Sequence, residues 1–267
     1  MRINDITITS LDTITAFDVV SGDYLFTLDE LQNASIAQAE EKTDITGKSG
    51  RKLTSLKKNK SITVSGGNGL VSGGLMSLQT GGDFENKSTT VMWNETLTVK
   101  SSAAATTYKA VGTTGAEITA LYIKNSDGTL GSSLTQSDTA STDKFKYTPA
   151  TKALTFDTSV QDGTEVVVYY ERKIKEGFVL NNSSEKHSGK ASLYIDATGE
   201  DKCANVFRIQ FFIPKADFSG EFTLEMGENQ TVHNFESESL AGACGAGGAG
   251  DNLFTYTVFG ANTEDAG

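Results

Sequence analysis

The chain has 267 residues, 37% hydrophobic and 21% charged, which is enough apolar material for a buried core and too much for a disordered polymer. Its 34 acidic and 23 basic residues give a net charge of −11, which argues against broad nucleic-acid binding because neutralising phosphates requires a basic face. No apolar run reaches the ~18 residues of a membrane span, and MRINDITITS has neither the apolar core nor the cleavage site of a signal peptide, so the expectation is a chain made and kept in a cytosol.

Taken in chain order, the sequence is a series of short alternating segments rich in Thr, Val, Ile, Phe and Tyr, punctuated by Gly, Asn, Asp and Ser, the pattern of antiparallel strands and turns. Residues 17–20 and 24–28 read as strands around the turn Ser21-Gly22-Asp23. Residues 40–60, EEKTDITGKSGRKLTSLKKNK, form a Gly-punctuated basic run between a strand ending near Ala39 and another beginning at Ser61. That run holds seven of the 23 basic residues and three of the 34 acidic ones, so the rest of the chain carries 16 basic against 31 acidic residues, a balance of −15. Residues 61–65, SITVS, alternate strictly, with Ile62 and Val64 on one face and three hydroxyls on the other. After GGN, the segment GLVSGGLMSLQTGG places Val71, Leu75 and Leu78 at helical spacing, with Asn68 as N-cap and Gly81 or Gly82 at the end. Gly73 and Gly74 weaken that helix by about 1 kcal/mol each relative to Ala. Either a neighbouring backbone approaches them closely or they are merely tolerated.

Residues 100–161 are enriched in Ala, Ser and Thr, with turns at Ser126-Asp127-Gly128 and Gln161-Asp162-Gly163. Strands are predicted at 118–124, 145–148, 154–156 and 165–171, forming either an inserted β module or a long hairpin excursion. Further on, in NVFRIQFFIPK, Phe207, Ile209, Phe211 and Ile213 point one way, Arg208 and Gln210 the other, and Pro214 ends the run. In GEFTLEMGE, Phe222, Leu224 and Met226 oppose Glu221, Thr223 and Glu225, giving a strand with an acidic face. LAGACGAGGAG reads as a flexible loop before a terminal strand in LFTYTVFG.

Catalytic and metal chemistry has little to draw on. His187 and His233 read as surface or turn residues, and no catalytic residue, metal ligand or cofactor is assigned. The glycine-rich segments lack the GK[ST] ending of a phosphate loop. Cys203 and Cys244 lack CxxC spacing and read as free thiols. Asp127-Gly128 and Asp162-Gly163 read as tight turns rather than calcium loops. The expectation is a protein that is not an enzyme.

The succession LDELQNASIAQAEEKTDITGKSGRKLTSLKKNKSITVSGGNGLVSGGLMSLQTGGDF, together with GEDKCANVFRIQFFIPKADFSGEFTLEMGENQTVHNFESESL, resembles the tail tube (major tail) proteins of long-tailed bacteriophages. The resemblance covers both ends of the chain and leaves 100–161 poorly matched. It implies an all-β, mainly antiparallel fold with one short helix, a β-sandwich protomer that closes with its neighbours into a multi-subunit β-barrel ring, commonly of six copies. Residues 1–99 and 162–267 would form the tube core and 100–161 a β-rich insertion on the outer surface. It further implies rings stacked around a tape-measure protein, contacts with tail terminator and distal tail proteins, and a virion tail whose subunits are made in the host bacterial cytoplasm. Phage DNA would leave through the lumen without specific binding.

On this reading the basic run is an inter-ring stacking loop carrying Glu40, Glu41, Lys42, Asp44, Lys48, Arg51, Lys52, Lys57, Lys58 and Lys60. Its charge complements the acidic body of another copy. Ser61, Thr63, Ser65, Glu221, Thr223 and Glu225 are candidates for an acidic lumen face, or equally for the outer sheet. Two alternatives stand beside it: a β-rich adhesin or receptor-binding module, and another ring-forming tail component, whether distal tail protein, terminator or contractile tail tube.

Overall fold

The computed structural model describes residues 5–227, 231–242 and 251–260. It is all-β with one short helix and two sheets, one of them curled into a half-barrel. The chain divides into two compact units, Met1–Phe84 with Leu180–Gly267, and Glu85–Val179. In order, β1 (Thr7–Asp18), β2 (Tyr24–Leu28), β3 (Leu31–Thr46), β4 (Lys52–Asn68) and α1 (Gly73–Thr80) open the first unit. The second unit holds β5 (Glu85–Thr98), β6 (Ala103–Ala105), β7 (Ala110–Val111), β8 (Ile118–Lys124), β9 (Leu130–Gln136), β10 (Lys144–Thr148), β11 (Ala153–Thr155) and β12 (Glu165–Val179). The chain then returns to the first unit through β13 (Lys190–Glu200), β14 (Val206–Phe218), β15 (Leu224–Met226), β16 (Thr231–Ser239) and β17 (Thr255–Gly260).

The first unit is one sheet in the order β2-β1-β13-β14-β16-β4-β3, with β15 also on β16 and β17 also on β14. Alternation decides its faces. In β13, Ala191, Leu193, Ile195 and Ala197 are buried while Ser192, Tyr194, Asp196 and Thr198 face outward. Ala191, Leu193 and Ile195 join Ile14, Phe26, Val64, Ile213, Phe218, Phe235 and Leu75 of α1 in the first core. Ile62 and Val64 are fully buried, as the SITVS alternation predicts.

Four expectations are corrected locally. The helix is capped by Ser72, whose hydroxyl accepts from the Leu75 N–H, not by Asn68, which ends β4 and donates to the Leu70 carbonyl. Val71 therefore falls outside the helix, and Gly81 closes it in the left-handed conformation at φ 68°. Pro214 does not end β14: the strand shifts register against β13 beside it, between the Leu193–Ile213 and Ala191–Ala216 pairs, and continues to Phe218. A bulge is where a strand tolerates a residue that cannot donate. Of GEFTLEMGE only Leu224–Met226 is strand, and Met226 is exposed rather than inward.

The second unit is a separate sheet in the order β5-β12-β8-β9-β10-β11-β6, with β7 on β12. It has its own core, built on Leu121, Phe145, Leu154, Val166, Val168 and Tyr170. It takes in β5 and the whole of β12, strands that flank the span 100–161. Both expected turns are tight: Gly128 and Gly163 take φ of 85° and 88°, and the Gly128 N–H donates to the Asn125 carbonyl.

Candidate functional site

The basic run is not a loop. β3 and β4 pair from Leu31 with Asn68 out to Thr46 with Lys52, through register shifts at Leu31/Asn33, Ala39/Glu41 and Ile45/Thr46, so residues 40–60 are a β-hairpin that turns at Gly47–Arg51. The neighbouring strand β16 reaches β4 only from Thr63 to Asn68. Beyond Ser61 the two strands therefore leave the sheet as a two-stranded ribbon, and residues 37–60 are exposed apart from half-buried Gly47 and Ser55. At about 3.3 Å per residue, the arm from Ala39 to its tip spans roughly 25 Å.

Charge on the arm is sorted. Its three acids are engaged internally: Asp44 with Lys52 at 2.7 Å and the Ser55 hydroxyl at 2.7 Å, Glu40 with Lys57 at 3.0 Å, and Glu41 with the Asn59 amide at 2.7 Å. The Lys52 ammonium, then the Ser55 hydroxyl, hold the Asp44 carboxyl below its ordinary range. Lys42, Lys48, Arg51, Lys58 and Lys60 have no acidic partner among the described residues. Cross-strand pairing puts Lys42 beside Lys57 and Asp44 beside Ser55 on one face, and Thr43 beside Leu56 and Ile45 beside Thr54 on the other. Ile45 and Leu56 are 40% and 55% exposed. The Thr43, Ile45, Thr54 and Leu56 patch is continued toward the sheet by the Glu41–Lys58 pair on the same face, and both faces of the arm are exposed.

The polar face of the sheet is the second candidate surface. Thr63 pairs with Glu238 and Ser65 with Glu236, so these four side chains share the face opposite the core. The Ser35 and Ser65 hydroxyls lie 3.0 Å apart on it. Asp217 joins by pairing with Glu238, and Glu225 by pairing with Val232 at the far end of β16. Glu221 and Thr223 precede the short β15, and strand alternation does not place them on this face. Glu236 and Glu238 belong to this face as well, and NFESES carries their signal, buried Phe235 and Ser237 alternating with exposed glutamates.

His233 reverses an expectation. It is fully buried in β16 rather than at the surface, whereas His187 is exposed as expected. Its Nδ1 accepts from the Ser72 N–H at 3.3 Å and its Nε2 lies 2.8 Å from the Gln79 side-chain oxygen, which assigns the proton to Nε2. The Gln79 amide in turn donates to the Asn234 carbonyl at 3.0 Å. The group fastens both ends of α1 to the sheet. Cys203 is an exposed free thiol, while Cys244 lies outside the described residues.

The two candidate surfaces are thus an exposed two-stranded ribbon and one polar sheet face of an all-β chain. The model of the YomU/Tube protein family matches residues 6–250, and the chain belongs to that family of tube proteins. No curated protein matches it. Membership implies a tube-forming structural role through self-association. Among the described residues no helix is long and apolar enough to cross a membrane.

Proposed function

We propose that the chain is the protomer of a bacteriophage tail tube: copies close into rings, rings stack into a hollow tube around a tape-measure protein, and DNA leaves through the lumen. The observation that carries this reading is the arm. A ribbon that leaves its own sheet with both faces bare and five cations unpaired is built to be completed by something else. The chain itself supplies a complement, since outside residues 40–60 it carries a balance of −15. Head-to-tail contact between an arm and the body of another copy generates an open filament. The sheet's open edges are satisfied by neighbours in a closed ring.

The face with Thr63, Ser65, Glu225, Glu236, Glu238 and Asp217 is assigned to the lumen, where like charge keeps DNA from sticking. Tail terminator and distal tail proteins would cap the two ends, and the virion tail is the site of action.

Lys42 and Lys57 are direct cross-strand partners, so residues 43–56 can be replaced by Asn-Gly, the tight-turn dipeptide, without disturbing the sheet. The shortened chain is expected to stay folded with a near-unchanged melting temperature but to form no tubes by negative-stain electron microscopy. The intact chain forms hollow tubes whose growth slows as salt is raised. Tubes of normal length from the shortened chain would overturn the role of the arm, and a lasting monomer from the intact chain would overturn the tube.

A further inference from the structure

The second unit holds a cavity of about 410 Å³, within the ~300–1,000 Å³ range of small-molecule sites, and a buried carboxylate lines it. Glu117 is 8% exposed. Its Oε2 accepts two hydrogen bonds, from the Gln136 amide at 2.5 Å and the Gly115 N–H at 3.1 Å. Its Oε1 has no protein donor among the described residues, yet it is not sealed from solvent. Water reaches this oxygen, so it stands at the cavity as an acceptor whose hydration a ligand hydroxyl can replace.

The surroundings hold that oxygen in place. Gln136 is itself fixed, accepting from the Ile118 N–H at 2.9 Å through Oε1 while its amide holds Glu117. Gly115, at φ 84°, turns its N–H onto the carboxylate. The Tyr147 phenol, anchored by the Ala110 N–H at 2.9 Å, lines the same cavity.

We infer that this cavity is a binding site for a neutral, hydroxyl-rich ligand of the saccharide class. Glu117 and Asp138 accept, the Lys109 ammonium donates, and the Ser137 hydroxyl does either, a mixture that matches hydroxyls, which both donate and accept. Glu117 and Asp138 disfavour an anionic ligand, and Lys109 offsets part of their charge. Tyr147, Val111 and Pro149 offer apolar surface for the C–H face of a sugar ring. The site lies wholly within the second unit and does not depend on whether copies assemble into tubes.

The test is saturation-transfer NMR on the full chain with glucose, galactose and N-acetylglucosamine as probes at millimolar concentration. At least one is expected to bind, and Glu117→Gln, which keeps the shape but places an amide N–H₂ where an acceptor was, is expected to weaken it by about tenfold or more. Thr114→Trp, an exposed substitution at the cavity wall, blocks the site sterically and serves if the first variant misfolds. No transfer with any of the three sugars, or transfer that survives the folded variants, overturns the assignment. Circular dichroism establishes folding, and tube formation is scored separately by microscopy.

Discussion

His233 is fully buried and neutral, and burial pushes its pKa below the ordinary value of 6.5. The unfolded chain therefore takes up this proton first as pH falls. The stabilising contribution is complete above pH 6.5 and is lost as pH drops through the depressed native value. Urea unfolding at pH 7.5 and pH 5 is expected to show that loss in the native chain and to show less of it in His233→Gln. A variant as pH-sensitive as the native chain would place the dependence elsewhere. At pH 7.5, His233→Leu leaves the Ser72 N–H and the Gln79 oxygen without partners and costs about 2–4 kcal/mol. None of this was legible in sequence, because His233 and Gln79 lie 154 residues apart and the fold alone brings them together. The two helix glycines also separate here. A Cβ on Gly74 would lie 2.7 Å from both the Leu25 carbonyl oxygen and the Phe26 Cβ, so α1 rests directly on β2. On Gly73 the nearest atom is a Phe84 ring carbon at 3.4 Å, an ordinary contact. Gly74→Ala is expected to destabilise by about 1–3 kcal/mol and Gly73→Ala to stabilise by about 0.5–1 kcal/mol in thermal or urea unfolding. Equal effects at both positions would contradict this packing.

At the scale of elements, the lumen assignment makes its own prediction. Changing Glu236 and Glu238 together to Lys places cations beside Thr63 and Ser65. Tubes of this variant are expected to retain short duplex DNA that resists nuclease, with retention falling steeply as salt rises. DNA that sediments with the tubes but stays open to nuclease would put this face on the exterior. Strands with large apolar residues at every second position, such as β10 and the first half of β14, are visible in sequence because one face is buried and the other is not. β1 is not, since register shifts at Ile8/Ser10 and Leu11/Thr13 break its period of two. β13 is obscure for another reason: Ala191, Ala197 and Gly199 occupy inward positions that larger residues would have advertised. The arm misleads most. Charged residues and glycines read as loop, yet two polar strands can pair when only each other's backbone is needed.

For the whole molecule, two cores serve one chain. The excursion from the first unit to the second leaves and returns at neighbouring points: a Cβ on Gly82 would lie 3.0 Å from the Asn181 carbonyl oxygen. Replacing Glu85–Val179 by a short Gly-Ser linker is therefore expected to leave the first unit folded and competent to form tubes, and the excised segment to fold on its own core. Circular dichroism melts of both pieces and microscopy of the first are the readouts. Loss of tubes with the fold intact would mean that the second unit takes part in assembly. Sequence showed the compositional shift at 100–161 and a strand at 165–171, but not that β5 and the whole of β12 belong to the second unit, since their Val, Tyr, Thr and Trp residues resemble those of the first.

The continuity of β4 also decides how the arm bears load. Ile62 and Val64, buried in the core, lie on the same strand as Lys57 and Lys58, and a bulge with Asn59 at φ 53° marks the foot of the arm. A pull along the arm runs parallel to the strands and perpendicular to the bonds between β4 and β16, so the paired residues from Thr63 to Asn68 resist together in shear rather than one after another. A tube drawn taut would thus pass tension from copy to copy through the backbone of its sheets, while the bare ribbon between them remains free to twist.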